Sequence, residues 1–105
     1  MAIPAIVRGT TPTFIFTFTT VDPTSITSAY FTIKQMGKIK VSKPLEEGLV
    51  GEQKLEWTIT QEESLSLTAG KPCEIRCEYL INAETRGSSK MKLCDVLPAG
   101  KEEVI

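Results

Sequence analysis

The chain has 105 residues, of which 41% are hydrophobic, and its twelve basic and thirteen acidic side chains leave a formal charge of −1. This length is typical of a single domain, and the scattered charges argue against a nucleic-acid-binding surface. No run approaches the roughly twenty apolar residues of a membrane-spanning helix, and the first residues lack the pattern of a signal peptide. We therefore expect one domain over residues 1–105, which stays where it is made unless it leaves in a larger particle.

The most strongly patterned stretch lies near the N-terminus, where Phe14, Phe16 and Phe18 occupy every second position. A period of two is that of a β-strand with one face in a core. We predict a strand in which all three rings are buried. The apolar residues 1–8 before it are predicted to form an N-terminal arm.

The next segments predict a turn, a hairpin and a loop. Residues 22–25 contain Asp and Pro in turn positions, and residues 26–36 alternate as a half-buried strand does. Gly37 and Lys38 are predicted at the tip of a hairpin that leads into a short strand over residues 39–43, with its lysines outward. Residues 44–51 carry glycines and glutamates and predict a loop.

The second half of the chain adds three strands and one helical turn. Residues 52–60 alternate with Trp57 inward, as a core filler. The spacing of Thr60 and Glu63 is that of a capping box, which predicts a short helix. Residues 73–81 have a second long inward row, the predicted core partner of the phenylalanine strand.

The end of the chain is patterned less clearly. Residues 82–89 predict a turn, and a last strand follows in which Met91 and Leu93 point inward. The alternation breaks over residues 94–97, which suggests a bulge or an early end. In total we expect about six to eight short strands with turns at short intervals. This favours an all-β fold, an antiparallel β-sandwich of immunoglobulin-like or jelly-roll type with one short helical turn.

The cysteines Cys73, Cys77 and Cys94 are predicted to be free, buried thiols. In one strand, the first two would lie about 13 Å apart, too far for a disulfide. A Cys73–Cys94 or Cys77–Cys94 bridge stays open as an alternative. Because the chain has no histidine, the three cysteines also make a poor zinc site.

The chain lacks the usual signatures of catalysis. Without histidine, the commonest general base is missing, and neither a G-x-S-x-G elbow nor a glycine-rich phosphate loop occurs. Glu46 and Glu52 could be imagined as a glycosidase pair, but nothing in their context would bury them and raise a pKa. We expect no enzyme, no catalytic residues, no cofactor and no metal.

Three segments carry a resemblance to a known family: residues 6–14 (IVRGTTPTF), 29–35 (AYFTIKQ) and 55–65 (LEWTITQEESL). They resemble small structural proteins of tailed bacteriophages and prophages, and are similar to the N-terminal, tail-attaching domain of phage upper baseplate proteins. In that family an Arg-Gly pair opens the first strand, and Arg8-Gly9 matches it. The resemblance implies a non-enzymatic connector of the virion tail or baseplate.

The partners that the resemblance implies are other virion or tail proteins, or further copies of this chain, with no nucleic acid and no membrane. We predict that the arm makes the contact, through Ile3, Ile6, Val7 and Arg8, because its apolar residues have no evident core of their own. The alternative is an arm that pairs within its own sheet.

A different function stays open beside the connector role. It is a stand-alone immunoglobulin-like binding module for carbohydrate or a bacterial surface partner. Such a module needs an exposed aromatic platform, for which Tyr30 and Tyr79 are the only candidates.

Overall fold

A computed structural model of the chain describes residues 5–89 and 92–105. These residues contain nine strands, one α-helix and two 3-10 turns. The strands are β1 Ala5–Val7, β2 Thr13–Thr17, β3 Ile26–Gln35, β4 Lys38–Pro44, β5 Leu49–Gly51, β6 Lys54–Thr58, β7 Cys73–Ile81, β8 Thr85–Ser88 and β9 Lys92–Leu97. The helix is α1, Gln61–Leu65, and the 3-10 turns are Pro23–Ser25 and Leu45–Glu47.

The strands form two sheets, which confirms the predicted all-β sandwich. The larger sheet has the order β1-β9-β7-β3-β4, with β8 beside the end of β7, and the smaller has the order β2-β6-β5. This is the strand order of an immunoglobulin sandwich, with β2, β6 and β5 as strands B, E and D and with β9, β7 and β3 as strands G, F and C. β1 runs parallel to β9, whereas the other described pairs are antiparallel.

Aromatic rings join the two sheets at the centre of the core. Phe31 in β3 is stacked on Trp57 in β6, with centroids 5.7 Å apart and ring planes 15° apart. Phe16 packs edge-on against both rings, at 6.0 and 5.9 Å. The prediction that Trp57 fills the core is confirmed, since it is 1% exposed and its indole N–H donates to the Pro44 carbonyl at 3.0 Å.

The phenylalanine strand is less buried than predicted. Phe18 is buried, but Phe14 and Phe16 are only partly so, and Phe14 reaches the core through a 5.1 Å ring contact with Phe31. The reason is the position of β2 in its sheet. It has a described neighbour, β6, on one side only, so its inward rings lie at the margin of the sandwich.

The prediction that the lysines after the hairpin all point outward is wrong for Lys43. The register between β3 and β4 shifts at Ile33/Lys34, and from there Val41 and Lys43 face the core. Lys43 is buried because its ammonium has partners there, the Thr58 carbonyl at 3.1 Å and the Glu63 carboxylate at 2.9 Å.

Two segments predicted as a loop and a turn each contain a short strand. Residues 44–51 hold a 3-10 turn and then β5, which pairs with β6. Residues 82–89 hold β8, which pairs back onto β7 after a tight turn with Asn82 and Ala83 at φ of 50° and 60°. Neither strand has an alternating apolar pattern, because both lie at the edges of the sheets.

The last strand faces the opposite way from the prediction. In β9, Cys94 and Val96 are buried and Leu93 is 46% exposed, without a break in the strand. Met91 lies outside the described residues. Pairing with β7, rather than the apolar pattern, decides which face of β9 points to the core, because Cys94 lies opposite the buried Cys73.

The predicted capping box is present at α1. The Glu63 N–H donates to the Thr60 hydroxyl at 3.1 Å, and the Thr60 N–H donates to the Glu63 carboxylate at 2.8 Å. The predicted hairpin is also present, but its turn lies one residue earlier, at Met36 and Gly37 with φ of 53° and 78°, because Lys38 already pairs with Gln35. These local features follow directly from residue types at fixed spacing.

Candidate interaction site

The structure places the predicted contact arm in the chain's own larger sheet. Ala5–Val7 pairs in parallel with Asp95–Leu97, and Ile6 is buried in the core at 2% exposed. Val7 is partly exposed at 38%, and Ile3 lies outside the described residues. Residues 5–7 therefore follow the alternative prediction, in which the arm pairs within its own sheet.

Arg8, the last residue of the arm, is also used inside the fold. Its guanidinium donates to the Leu65 carbonyl at 2.8 Å and forms an ion pair with Glu102. The side chain thus ties the arm to the end of α1 and to the C-terminal segment. A partner protein would have to break these contacts to use Arg8.

Gly9 and Ser64 complete this junction. Gly9 has φ +86°, a conformation that side chains disfavour, and its N–H donates to the Ser64 hydroxyl at 2.9 Å. Ser64 is fully buried, and its hydroxyl donates on to the Thr10 carbonyl at 2.8 Å. The Arg-Gly pair therefore fixes the turn between the arm and β2. Ser64 is not predicted from the sequence, where the local signal is no more than a small polar residue in a short amphipathic helix.

The strands at the sheet margins differ in how they are protected against further pairing. β4 carries Lys38 and Lys40, while β1 and β5 are only three residues long. Lysines and shortness are both known ways of blunting a sheet edge. β2 has neither, since no charged residue occurs between Arg8 and Asp22.

β2 has an open edge, meaning the side opposite β6, on which no described strand pairs with it. The hydrogen bonds around β2 show which of its backbone groups face this open edge. The Phe18 N–H donates to the Gln53 carbonyl at 2.8 Å, and the Ile59 N–H donates to the Pro12 carbonyl at 3.1 Å. Antiparallel ladders alternate between bonded and non-bonded pairs, so the even-numbered residues of β2 bond to β6. The N–H and C=O of Ile15 consequently point away from β6.

The side chains at this edge are apolar or hydroxylated. Ile15 is 55% exposed on the outer face of the smaller sheet, and Thr13 and Thr17 flank it on the same face. On the inner side a groove of about 280 Å³ runs between β2 and the larger sheet. It is lined by Ile6, Phe14, Phe16, Ile75, Lys92 and Cys94, among others. This combination makes the β2 edge the best candidate interaction site in the described part of the chain.

A second concave surface lies on the outer face of the larger sheet. It is a cleft of about 410 Å³ beside Tyr30, which is 52% exposed. Its polar lining includes Thr32, Ser42, Glu78 and Arg86, and the hydrogen bond from Arg86 lowers the pKa of Glu78.

The two tyrosines do not form one aromatic platform. The Tyr79 ring packs edge-on against the buried Phe18 ring, with centroids 5.2 Å apart. Tyr79 is also paired with the buried Ala29, on the core-facing side of the sheet. Only Tyr30 presents a ring to the outer cleft.

The three cysteines are free and buried, as predicted. Cys73 lies directly opposite Cys94 on the neighbouring strand, whereas Cys77 lies opposite Phe31. Of the two bridges left open, the register brings together only the Cys73–Cys94 pair. Burial raises the pKa of Cys73 to about 11 and that of Cys77 to about 12, so neither is a thiolate near neutral pH.

The carboxylates with shifted pKa values cap helices and pair with basic side chains. The Thr24 N–H lowers the pKa of Asp22, which caps the first 3-10 turn. Glu46 and Glu52, weighed above as a catalytic pair, are both exposed. Within residues 5–89 and 92–105, no three Cys, Asp or Glu side chains come together as a metal site.

No helix of the described residues is long and apolar enough to cross a membrane. A scan against protein-family models finds no family that matches the chain, and a search of curated proteins finds no significant match.

Proposed function

We propose that the protein is a non-enzymatic structural component of a tailed-phage or prophage particle, a connector in the tail or baseplate that works by docking to other proteins. The observation that carries the proposal is the junction at Arg8 and Gly9, a pair that matches one in the family that the chain resembles. This pair holds the arm, α1 and the C-terminal segment together through contacts with Leu65, Ser64 and Glu102. The Arg8-Gly9 pair thus stabilises the fold, which is the role expected of a motif in a structural protein.

The ionisable groups support a structural role rather than a catalytic one. A general acid needs a raised carboxyl pKa, and a cysteine nucleophile needs a lowered thiol pKa. Here the pKa values of Asp22, Glu63 and Glu78 are lowered and those of the cysteines are raised. The shifts are those of capping, ion pairing and burial.

The test is whether the protein is part of a particle. Tailed particles from the source bacterium, released by induction or infection, are banded by density, washed with salt and analysed by quantitative mass spectrometry. We expect peptides of this chain to co-band with tail proteins in a fixed ratio, and an antibody to label the tail end in electron micrographs. Protein that stays in the soluble lysate, with none in banded particles, would contradict the proposal.

A second candidate function is favoured by one observation, the polar cleft beside Tyr30. A half-exposed ring next to hydroxyl and charged groups suits stacking and hydrogen bonding to a sugar. The protein would then be an immunoglobulin-like binding module for carbohydrate or a bacterial surface partner. Titration against bacterial surface polysaccharides tests it, with Tyr30→Ala expected to abolish binding and Tyr79 left in place. If none of these polysaccharides binds, the result would argue against this function.

A further inference from the structure

We propose that two copies of the chain associate through the edge of β2 that has no paired strand among residues 5–89 and 92–105, and that the two β2 strands pair antiparallel about a two-fold axis beside Ile15. This association does not depend on the virion role. The margins of the two sheets differ in their protection. β4 is protected by lysines and β1 and β5 by shortness, whereas β2 is a regular five-residue strand without charge.

The sequence of β2 is complementary to itself in this arrangement. With Ile15 of one copy opposite Ile15 of the other, Thr13 lies opposite Thr17 and Phe14 lies opposite Phe16. Aromatic pairs, threonine pairs and β-branched pairs are the favourable cross-strand combinations. The strand itself has no charge, so pairing places no like charges opposite one another within β2; Lys92 lines the groove behind it.

The backbone hydrogen bonds and the length of β2 together set the register. Only the odd-numbered residues of β2 have their N–H and C=O directed at the open edge, because the even-numbered residues face β6. Ile15 opposite Ile15 is therefore a hydrogen-bonded pair that exchanges both N–H···O=C bonds. A two-fold axis centred on Phe14 or Phe16 would also place odd-numbered residues opposite one another, but it would shift the strands and leave Thr17 or Thr13 without a partner within β2. The axis at Ile15 alone pairs all five residues of the strand.

The association joins the two smaller sheets into one. The order becomes β5-β6-β2-β2-β6-β5, in which the half-exposed Ile15 side chains cover each other. A contact made mainly by one short strand from each copy is small, and small interfaces are typically weak. We therefore expect a dissociation constant in the micromolar range and a mass that rises with concentration.

The test measures mass in solution by size-exclusion chromatography with light scattering, from low-micromolar to near-millimolar protein. We expect the wild type to move from the mass of one chain towards that of two. Ile15→Lys and Ile15→Glu each place like charges opposite one another and should stay monomeric. An equimolar mixture of the two variants should recover the dimer, because Lys then lies opposite Glu.

Leu49→Lys is the matched control. Leu49 is 69% exposed and lies in the same cross-strand row as Ile15, but on β5 at the opposite margin of the sheet. It should dimerise as the wild type does, and far-UV circular dichroism should show that all three variants are folded.

Three results would overturn the proposal. They are a wild type that is monomeric at the highest concentration, an Ile15→Lys variant that still dimerises, and a mixture of the two folded charge variants that stays monomeric. A monomeric wild type would leave the virion role standing, since that role is tested separately in banded particles.

Discussion

The ammonium of Lys43 lies 2.9 Å from the Glu63 carboxylate and 3.1 Å from the Thr58 carbonyl oxygen, so one buried side chain joins β4, β6 and α1. We expect Lys43→Met, which keeps most of the apolar stem, to destabilise the fold by roughly 1–3 kcal/mol, because it leaves the carbonyl and the carboxylate without their donor. Urea unfolding at neutral pH measures this. Lys38→Met, at an exposed position of the same strand, is the control, and an equal effect of the two changes would contradict the role given to Lys43.

The same pair predicts how stability depends on pH. Burial acts to raise the pKa of Glu63, but the hydrogen bond from the Thr60 N–H and the pairing with Lys43 outweigh it, and the pKa is lowered. A folded-state pKa below the unfolded value stabilises the fold above the unfolded value, near 4.5, and this stabilisation is lost as the pH falls through the folded pKa.

The wild type should therefore be more stable than Glu63→Gln at neutral pH, and the difference should shrink as the pH is lowered below about 4.5. Urea unfolding of both proteins over this pH range measures it. Glu62→Gln, at the exposed neighbouring position, serves as control. A difference that does not change with pH would show that the ionised carboxylate is not the stabilising species.

These polar contacts also mark the boundary of what the sequence predicts. The alternation of Leu55 and Trp57, the capping box and the hairpin near Gly37 depend on neighbours along the chain, and patterns of residue type reveal them. Lys43 faces the core because its partners belong to a different strand and a helix. No local pattern reports a partner that only the folded topology supplies.

The β2 edge was not predicted from the sequence, for the same reason. An apolar arm without an evident core suggested a contact segment, yet Ile6 finds its core by pairing with β9, and that strand lies far away in the sequence. The open edge of β2 could not be recognised from its pattern, because alternation identifies a strand but not its neighbours. The sequence shows that no charged residue lies near Ile15, but only the strand order shows that this uncharged strand is at a sheet edge.

The buried junction at Ser64 yields a further prediction. Ser64→Ala removes the acceptor of the Gly9 N–H and the donor to the Thr10 carbonyl. We expect a loss of roughly 1–3 kcal/mol in the free energy of unfolding, because buried backbone groups are left unsatisfied. Ser66→Ala, at the exposed end of α1, is the control and should change stability by about 0.5 kcal/mol or less. Chemical denaturation of both variants decides the point, and a Ser64→Ala protein as stable as the wild type would contradict it.

Gly48 packs against the central indole ring. A methyl group at Gly48 would lie 2.7 Å from Nε1 of Trp57, whose N–H is held by the Pro44 carbonyl. We expect Gly48→Ala to cost roughly 1–3 kcal/mol by overpacking, and to shift the fluorescence of the only tryptophan. Gly100→Ala is the control, because nothing lies within 4 Å of the added methyl group. Equal stabilities of the two variants would show that Trp57 moves aside freely.

The buried cysteines should be unreactive in the native state. Burial raises the pKa of Cys73 to about 11 and that of Cys77 to about 12, so little thiolate is present at pH 8. The measurement follows, by absorbance, the reaction of a chromogenic thiol reagent. We expect it to label none of the three cysteines quickly in the native protein and all three in denaturant. Ser88→Cys, on the exposed strand β8, is the positive control. Fast labelling of the native wild type would contradict this arrangement.

The open edge of β2 is tested most directly by hydrogen exchange at single backbone N–H groups, followed by NMR at low and high protein concentration. The Phe14 and Phe16 N–H groups bond to β6 and should be protected at both. The Ile15 and Thr17 N–H groups should exchange quickly in dilute protein and become protected in concentrated protein. In Ile15→Lys, the Thr17 N–H should exchange quickly throughout. Protection of Ile15 and Thr17 that is independent of concentration, or absent at every concentration, would contradict β2 as a docking strand between copies.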